Sequence, residues 1–510
     1  MPHPADDILR VMQSPSSEDR KAIEEAYEFA KIAHGDEKRK SGEPYIIHPH
    51  AIAVSLASLG MGRETIIAGI LHDTIEDTAV TSEEIEEKFG KEIRTLVEGV
   101  TKLSKLKYRG SERHVESLRR LLVATANDIR VIIIKLADRL HNMETIQYVT
   151  PIEKRNRIAM ETKEIYVPIA ERLGIGFLKA KLEDLSFKTL EPERYKEMNQ
   201  FLTERGEKEK DSLQRAVNDL KKALAEAGIR SFHTESRVKN VHSFSTKIKR
   251  KDNDPDKVYD LFAIRVIVPT LEDCYRALGV VHNIWRPVPA RVKDFIATPK
   301  SNGYRTIHTT IITPYKLIME IQIRSEEMQR ESKFGVAAHF LYKNSDKNAG
   351  SRAGWVWRLV PSLMKMKGKG SAETEGTSES APTPGWLKDL NRAAEEFSGE
   401  EAFEQALKDD FFAVRIFTFT PKGDAIDLPV GATAVDFAYA VHTHLVDVMK
   451  GAKVNGKLVS LDTPLKNGDV VEIETKKHGI PNRKWLEFAK SSAARSYIRA
   501  SLKKHEASNT

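Results

Sequence analysis

From residue 21 to about 195, apolar side chains recur three and four positions apart, as in KAIEEAYEFAKIAHG and AIAVSLASLGM, with few strand-like runs. That period predicts an all-α domain over 21–195. Residues 196–228 are charged and helix-favouring and end at Gly228, a C-cap residue, so they are expected to form a helical connector with a hinge. From 229 to 343 the texture changes to short β-branched or apolar runs, LFAIRVIV and LIMEIQI, separated by helical stretches. A mixed α/β domain follows. Segment 344–385 loses all period, and its GKGSAETEGTSESAPTPG portion is flexible by composition, which predicts a linker or insert. Within it Trp355–Val360 and Met364–Lys367 are more apolar and basic than a linker needs, and predict a short helix docking on its own protein. Residues 386–410 read as a helical connector. Over 411–476 the order is strand, Lys-Gly-Asp turn, strand, helix, Asn-Gly hairpin and strands, a small β-grasp pattern; 477–510 is a basic helical tail.

At 510 residues the chain is long enough for two to four domains. A net charge of +7 favours anionic partners such as nucleotides or RNA, although spread over this length it decides little. The single cysteine, Cys274, excludes an internal disulfide framework. No apolar run approaches the roughly 20 residues that span a bilayer. The start, MPHPADDILR, lacks the basic end and apolar core of a signal peptide, so a cytoplasmic protein without membrane contact is expected. The oligomeric state is left open.

The densest chemistry lies in LHDTIEDT at 71–78, where the His72-Asp73 pair stands one helical turn before Glu76-Asp77. His48 in YIIHP and Asp138 in KLADRLHN lie in similar apolar, helix-periodic contexts. Together His48, His72, Asp73 and Asp138 can hold one divalent cation. Two imidazoles with two carboxylates suit a borderline or hard first-row metal that keeps positions open for water and a phosphate, whereas a closed structural zinc site normally uses thiolates.

A second set lies between 237 and 322. Arg237, Lys239, Ser243 and Lys247 form an R-x-K-x3-S-x3-K run able to follow a polyphosphate along one side of an element. More specific is RVKDFIATPKSNGYRTIHTT at 291–310, in which Lys293, Lys300 and His308 supply phosphate donors, Asn302 can read a base edge, Gly303 permits a tight turn and Tyr304 offers an aromatic face. No G-x4-G-K-[ST] occurs, which excludes a P-loop NTPase.

The order H…HD…D, with RKSGEPYIIHP, LHDTIEDT, GVTKLSKL and KLADRLHNM, closely resembles the HD-type hydrolase domain of the RelA/SpoT homologues. The RVKD…NGYRTIH block, DLFAIR at 260–265 and EIQIR at 320–324 resemble the synthetase domain of that family, and the DFAYAVH and GAKVNGKLV words resemble its TGS domain. The resemblance implies a bifunctional enzyme of (p)ppGpp metabolism, in a short form lacking the C-terminal ACT region. In the hydrolase it implies Mn2+ on His48, His72, Asp73 and Asp138, water activated or oriented by Glu76 and Asp77, and substrate contacts from Arg39, Lys40, Asn142 and Thr145. In the synthetase, which is α/β and nucleotidyltransferase-like, it implies ATP on Arg237, Lys239, Ser243 and Lys247. The GDP or GTP acceptor falls to Lys293, Lys300, Asn302, Tyr304 and His308, Mg2+ to Asp260, and the 3′-hydroxyl proton or a share of the metal to Glu320. The basic RVKD form accompanies family members with both activities. Two departures stand out: His242 where Tyr is usual, and Val446-Asp447-Val448 in place of a Gly-His-Arg stretch in the domain that contacts tRNA on the ribosome. His442 and His444 are expected to be structural. The alternatives are an HD phosphohydrolase with a degenerate second domain, and a noncatalytic tRNA- or ribosome-binding regulator.

Overall fold

The computed structural model describes residues 3–12, 15–104, 128–252, 254–255, 258, 260–300, 304–335, 415–477 and 479–508. Asn302, the 344–385 segment with its Trp355–Lys367 stretch, and the connector at 386–410 lie outside the described residues. The described parts of 1–94 and 133–345 form one compact unit, and those of 95–132 and 346–510 form another.

The chain opens on helices α1 (Ala5–Val11), α2 (Ser17–His34), α3 (Ile47–Ser58), α4 (Arg63–Leu71), the short α5 (Thr74–Asp77), α6 (Ser82–Phe89), α7 (Lys91–Ser104) and α8 (Ile129–Glu144). The apolar period read from the sequence becomes a shared core of Ile23, Ile52, Leu56, Ile66, Ile70, Leu136 and Leu140, all at most 2% exposed. Helices α3 and α4 approach closely because Gly69 has no side chain: a Cβ there would stand 2.4 Å from Leu56 Cδ1. Next come α9 (Ile152–Glu161), a π-helical turn at Thr162–Tyr166, α10 (Val167–Arg172), α11 (Gly176–Leu190) and α12 (Pro192–Glu226).

Helix α12 runs 35 residues without a break and ends two residues before Gly228, whose φ is +80°. The segment expected to be a hinged connector therefore lies inside one helix. Its stripe of Leu202, Ala216, Val217, Leu220 and Leu224 is buried in the same core as the sheet that follows, because the charged positions occupy only the opposite face.

That sheet comprises β1 (His233–Val238), β2 (Phe262–Val268), β3 (Arg286–Asp294), β4 (Ile307–Ile312) and β5 (Ile318–Ser325), in the order β1-β2-β5-β4-β3. Only β2 and β5 are parallel. Helices α13 (Val241–Lys249), α14 (Leu271–Ile284) and α15 (Glu326–Phe334) complete the unit. Strand alternation sends Ile264, Val266, Ile321, Ile323, Ile307 and Ile311 into the core.

In the other unit, β6 (Arg415–Phe419) pairs with β7 (Ala425–Pro429), followed by α16 (Ala434–Val441) and α17 (Thr443–Val448). Strands β8 (Met449–Val454), β9 (Lys457–Val459) and β10 (Val471–Thr475) form a second small sheet, bridged to the first at Phe419 and Val470. The Asn-Gly signal is realised as a turn with positive φ at both Asn455 (53°) and Gly456 (80°). Helices α18 (Trp485–Phe488) and α19 (Ser492–Ser508) pack on α16, with Ala494 and Ile498 buried. The segment expected to be a basic tail is thus part of this unit's core.

Two candidate active centres

Helices α3, α4, α5 and α8 converge on a buried polar cluster. His48 near the start of α3, His72 just beyond α4 and Asp138 on α8 are each buried, and one ligand atom from each lies within 4.8 Å of the others. His48 Nε2 is 3.3 Å from Asp138 Oδ1 and 3.6 Å from Asp73 Oδ2, and His72 Nε2 is 2.8 Å from Asp73 Oδ2.

The hydrogen-bond network assigns the tautomer of a neutral His72. His72 Nδ1 lies 2.9 Å from the Gly69 carbonyl, which can only accept, so Nδ1 carries the proton and Nε2 is a bare lone pair. Arg39 Nη1 lies 2.7 Å from His141 Nδ1, and a guanidinium can only donate, so His141 Nδ1 accepts. His48 Nδ1 lies 2.8 Å from that same nitrogen, whose single lone pair the Arg39 guanidinium already takes, and its Nε2 faces Asp138 and Asp73. In neutral His72 the Nε2 lone pair thus faces Asp73 Oδ2 with no hydrogen between them, and a divalent cation resolves that arrangement. Burial works against a charged His72, yet Asp73 raises its pKa, which is the protonic form of the same demand.

The surrounding residues hold the carboxylates as anions. Burial would raise Asp138, but Lys135, 2.7 Å from its Oδ2, and the histidines bring it well down. Asn142 donates to Asp138 Oδ1 at 2.5 Å and accepts from Arg39 at 2.9 Å. The Tyr45 hydroxyl lies 2.7 Å from Asp73 Oδ2 and 2.9 Å from Asp77 Oδ2, tying the two acids together. Burial raises Asp77, with the Tyr45 bond opposing and the Asp73 charge adding. Glu76 is exposed on the same short helix, and Lys40 is exposed beside Lys154. Thr145 donates to the His141 carbonyl at 3.0 Å. Arg139, half-buried one residue beyond Asp138, lies over the Tyr166 ring and pairs with Glu161 at the π-helical turn. Tyr45, Lys135 and His141 were not singled out from the sequence. A pattern does point to Lys135 and His141, since they stand three residues either side of Asp138 on one helical face.

The second centre is one face of the five-stranded sheet. Register aligns Arg237 with Ala263, Ala263 with Glu320, Arg265 with Gln322, Gln322 with His308 and His308 with Lys293. Because residues of like parity share a face, Arg237, Arg265, Glu320, Gln322, Arg324, His308 and Lys293 all lie on the side opposite the apolar core. The 237–247 run does not follow one element as the spacing suggested: Arg237 is the penultimate residue of β1, whereas Ser243 and Lys247 lie one turn apart on α13. Lys239 Nζ and Lys247 Nζ both reach Asp260 Oδ2, the former at 2.6 Å. Burial raises Asp260, and the two ammonium groups more than reverse it.

His308 Nδ1 is 3.0 Å from Glu320 Oε1, and Gln322 donates to Glu320 Oε2 at 2.7 Å. Burial alone would raise the Glu320 carboxyl, but these bonds bring it down to about 2. Lys300 Nζ stands 4.8 Å from the centroids of both the Phe295 and Tyr304 rings. Asp294 turns the RVKD strand into the following loop by accepting the N–H groups of Ile296 and Ala297.

Comparison with known proteins follows the same division. Residues 26–176 match the HD domain, 236–347 the region found in RelA/SpoT proteins, and 414–475 the TGS domain. The chain is 42% identical over 485 residues to a guanosine-3′,5′-bis(diphosphate) 3′-pyrophosphohydrolase of Aquifex aeolicus, covering 95% of this chain and 65% of that protein. It therefore spans just under two thirds of that relative's length. It is 40% identical over 498 residues to the bifunctional (p)ppGpp synthase/hydrolase SpoT of Escherichia coli K12, covering 97% of this chain and 67% of that protein. A solved structure of a metazoan ortholog of SpoT is 27% identical, covering 34% of this chain and 97% of that chain with a TM-score of 0.28. All three matched regions occur here in the order read from the motifs, and relatives 40% identical over nearly the whole chain share them: the chain belongs to the RelA/SpoT family.

Proposed function

We propose that this chain both makes and breaks (p)ppGpp, using the helical centre to hydrolyse the 3′-pyrophosphate and the sheet centre to install it. The observation that carries the reading is the convergence of His48 Nε2 and His72 Nε2 on the carboxylates of Asp73 and Asp138, in the same compact unit as the Asp260 and Glu320 face. His48, His72, Asp73 and Asp138 would hold Mn2+, which when bound supplies Lewis acidity and a water of lowered pKa. Asp77, raised by burial, and Glu76 take or orient the water's proton. Arg39, Lys40, Asn142 and Thr145 receive the substrate, and Arg39 is already aimed by its bonds to His141 and Asn142. The products are GDP or GTP and pyrophosphate.

At the sheet centre Arg237, Lys239, Ser243 and Lys247 receive the ATP phosphates. Lys293, Lys300, Asn302, Tyr304 and His308 receive GDP or GTP. Asp260 would hold Mg2+, on which Lys239 and Lys247 stand as cationic neighbours. A carboxyl held near 2 is a weak base, which favours Glu320 orienting the 3′-hydroxyl or sharing the metal over removing a proton outright. Positioning and cationic stabilisation are what phosphoryl transfer requires.

A cytoplasmic setting fits this chemistry, and among the described residues no helix is long and apolar enough to cross a membrane. For the β-grasp unit we propose a tRNA or ribosome contact through its basic surface. The Val446-Asp447-Val448 stretch is not available for it: both valines are buried, and Asp447 accepts from Tyr497 at 2.6 Å and Ser501 at 3.1 Å. His442 caps α17 through Nδ1.

Incubation with ATP plus GDP, and separately with ppGpp plus Mn2+, while every nucleotide is followed, tests both activities. ppGpp formed in the first mixture and GDP with pyrophosphate in the second are the expected products. No turnover in either mixture would leave a binding regulator.

A further inference from the structure

Arg324, at the end of β5, is 1% exposed and heads the fully buried side chains by volume. None of the ion pairs among the described residues includes it, and its Nε has no hydrogen-bond partner. A buried cation without a carboxylate is costly. Burial lowers its pKa, with Tyr304 opposing and Arg265 and Arg237 adding, yet only to about 10, so it remains charged at neutral pH.

Its Nη2 donates to the Tyr304 hydroxyl at 2.8 Å and reaches Gln322 Oε1 at 3.4 Å, while Nη1 donates to Gln329 Oε1 at 3.3 Å. The guanidinium also lies 5.1 Å from the Tyr304 ring centroid. Because a guanidinium only donates, it turns the Tyr304 oxygen into an acceptor and directs the phenolic hydrogen to His308 Nε2, 2.9 Å away. His308 Nε2 must then be bare and Nδ1 protonated, and Nδ1 is the nitrogen 3.0 Å from Glu320 Oε1. The second arm, through Gln322, fixes that amide with its oxygen toward Arg324 and its nitrogen toward Glu320 Oε2. Both oxygens of Glu320 are therefore addressed from one buried guanidinium.

We propose that Arg324 is a positioning residue for nucleotide synthesis, setting the His308 tautomer and the Gln322 amide so that the Glu320 carboxylate is held in one orientation. It does not touch substrate; it acts through Tyr304, His308 and Gln322. The inference rests on the synthetase reading of this centre, and the two fail separately: a parent protein that makes no ppGpp sinks that reading, whereas the tautomer can be read without turnover.

The test is imidazole 15N NMR of the full chain at a pH well above the ordinary histidine range, with the His308 resonances identified by their loss in His308→Gln. The parent is expected to show the proton on Nδ1. Arg324→Met should convert His308 to a mixture of tautomers, lower kcat for synthesis at least tenfold with KM for GDP changed less than threefold, and leave ppGpp hydrolysis within twofold. Arg324→Lys, which keeps the cation without the fork, should fall between. Should Arg324→Met not fold, Tyr304→Phe removes only the hydroxyl and should release the same tautomer. A single Nδ1–H form persisting in the variant, or a KM effect with kcat unchanged, would overturn the proposal.

Discussion

The Asp184 carboxylate on α11 accepts the backbone N–H of His242 at 2.8 Å, so a helix continuous with the helical half caps the helix that carries Ser243 and Lys247. Helix α13 has no side-chain cap of its own, since Asn240 at its N-cap position makes none. A carboxylate against the first N–H groups satisfies donors that would otherwise be orphaned and meets the positive end of the helix dipole. Asp184→Ala should cost about 1 kcal/mol of local stability and loosen Lys247 against Asp260, reducing synthesis several-fold while hydrolysis persists. Asp184→Asn, which can still accept, should stay near the parent. Initial rates of both reactions decide this, and equal loss of both activities would place the effect elsewhere.

At the helical centre Asp73 faces the Nε2 atoms of both His48 and His72 and the Tyr45 hydroxyl. Asp73→Ala should abolish hydrolysis and weaken Mn2+ binding by at least tenfold, as loss of a ligand does. Metal titration by calorimetry beside a ppGpp assay measures both. A folded variant that binds and hydrolyses like the parent would remove Asp73 from the ligand set.

How much of this could be read in advance differs between the two centres. His48, His72, Asp73 and Asp138 come together because each sits in a locally periodic helical segment, and periodicity survives into structure. The 237–247 run was misjudged because a strand-to-helix corner falls inside it, and spacing along a chain does not reveal such corners. The residues that tune each site, Tyr45 and His141 in one, Arg324 and Asp184 in the other, were hidden for a common reason. Their roles depend on partners outside their own element, 20 residues away for Arg324 with Tyr304, 28 for Tyr45 with Asp73, 58 for Asp184 with His242 and 102 for His141 with Arg39. The segment 196–228 is helical as its composition suggested, but charge did not reveal its packing: in α12 the charges line one face while the other enters the core.

Glu320 lies on the sheet, where its bonds are to His308 and Gln322. Glu320→Gln should therefore lose ppGpp formation by two orders of magnitude or more, on the scale of losing a group made for the transition state, and leave ppGpp breakdown intact. Parallel assays on one folded preparation read this, and joint loss would argue for a single shared site.

The last prediction concerns acid. Burial, with His48 and Arg39 adding, pushes His141 from 6.5 down to about 3. In the unfolded chain His141 takes a proton below about 6.5, whereas folded it stays neutral until near 3, so unfolding binds a proton between these values. The sign follows: stability is fully present above about 6.5 and falls as pH drops toward 3. Chelator-treated protein should show this slope in urea melts, and His141→Gln should lessen it by up to about one proton across the window. The same substitution removes the imidazole that contacts both Arg39 and His48 Nδ1, so Mn2+ affinity should fall with it. An unaltered pH slope would mean that His141 titrates normally in the folded protein.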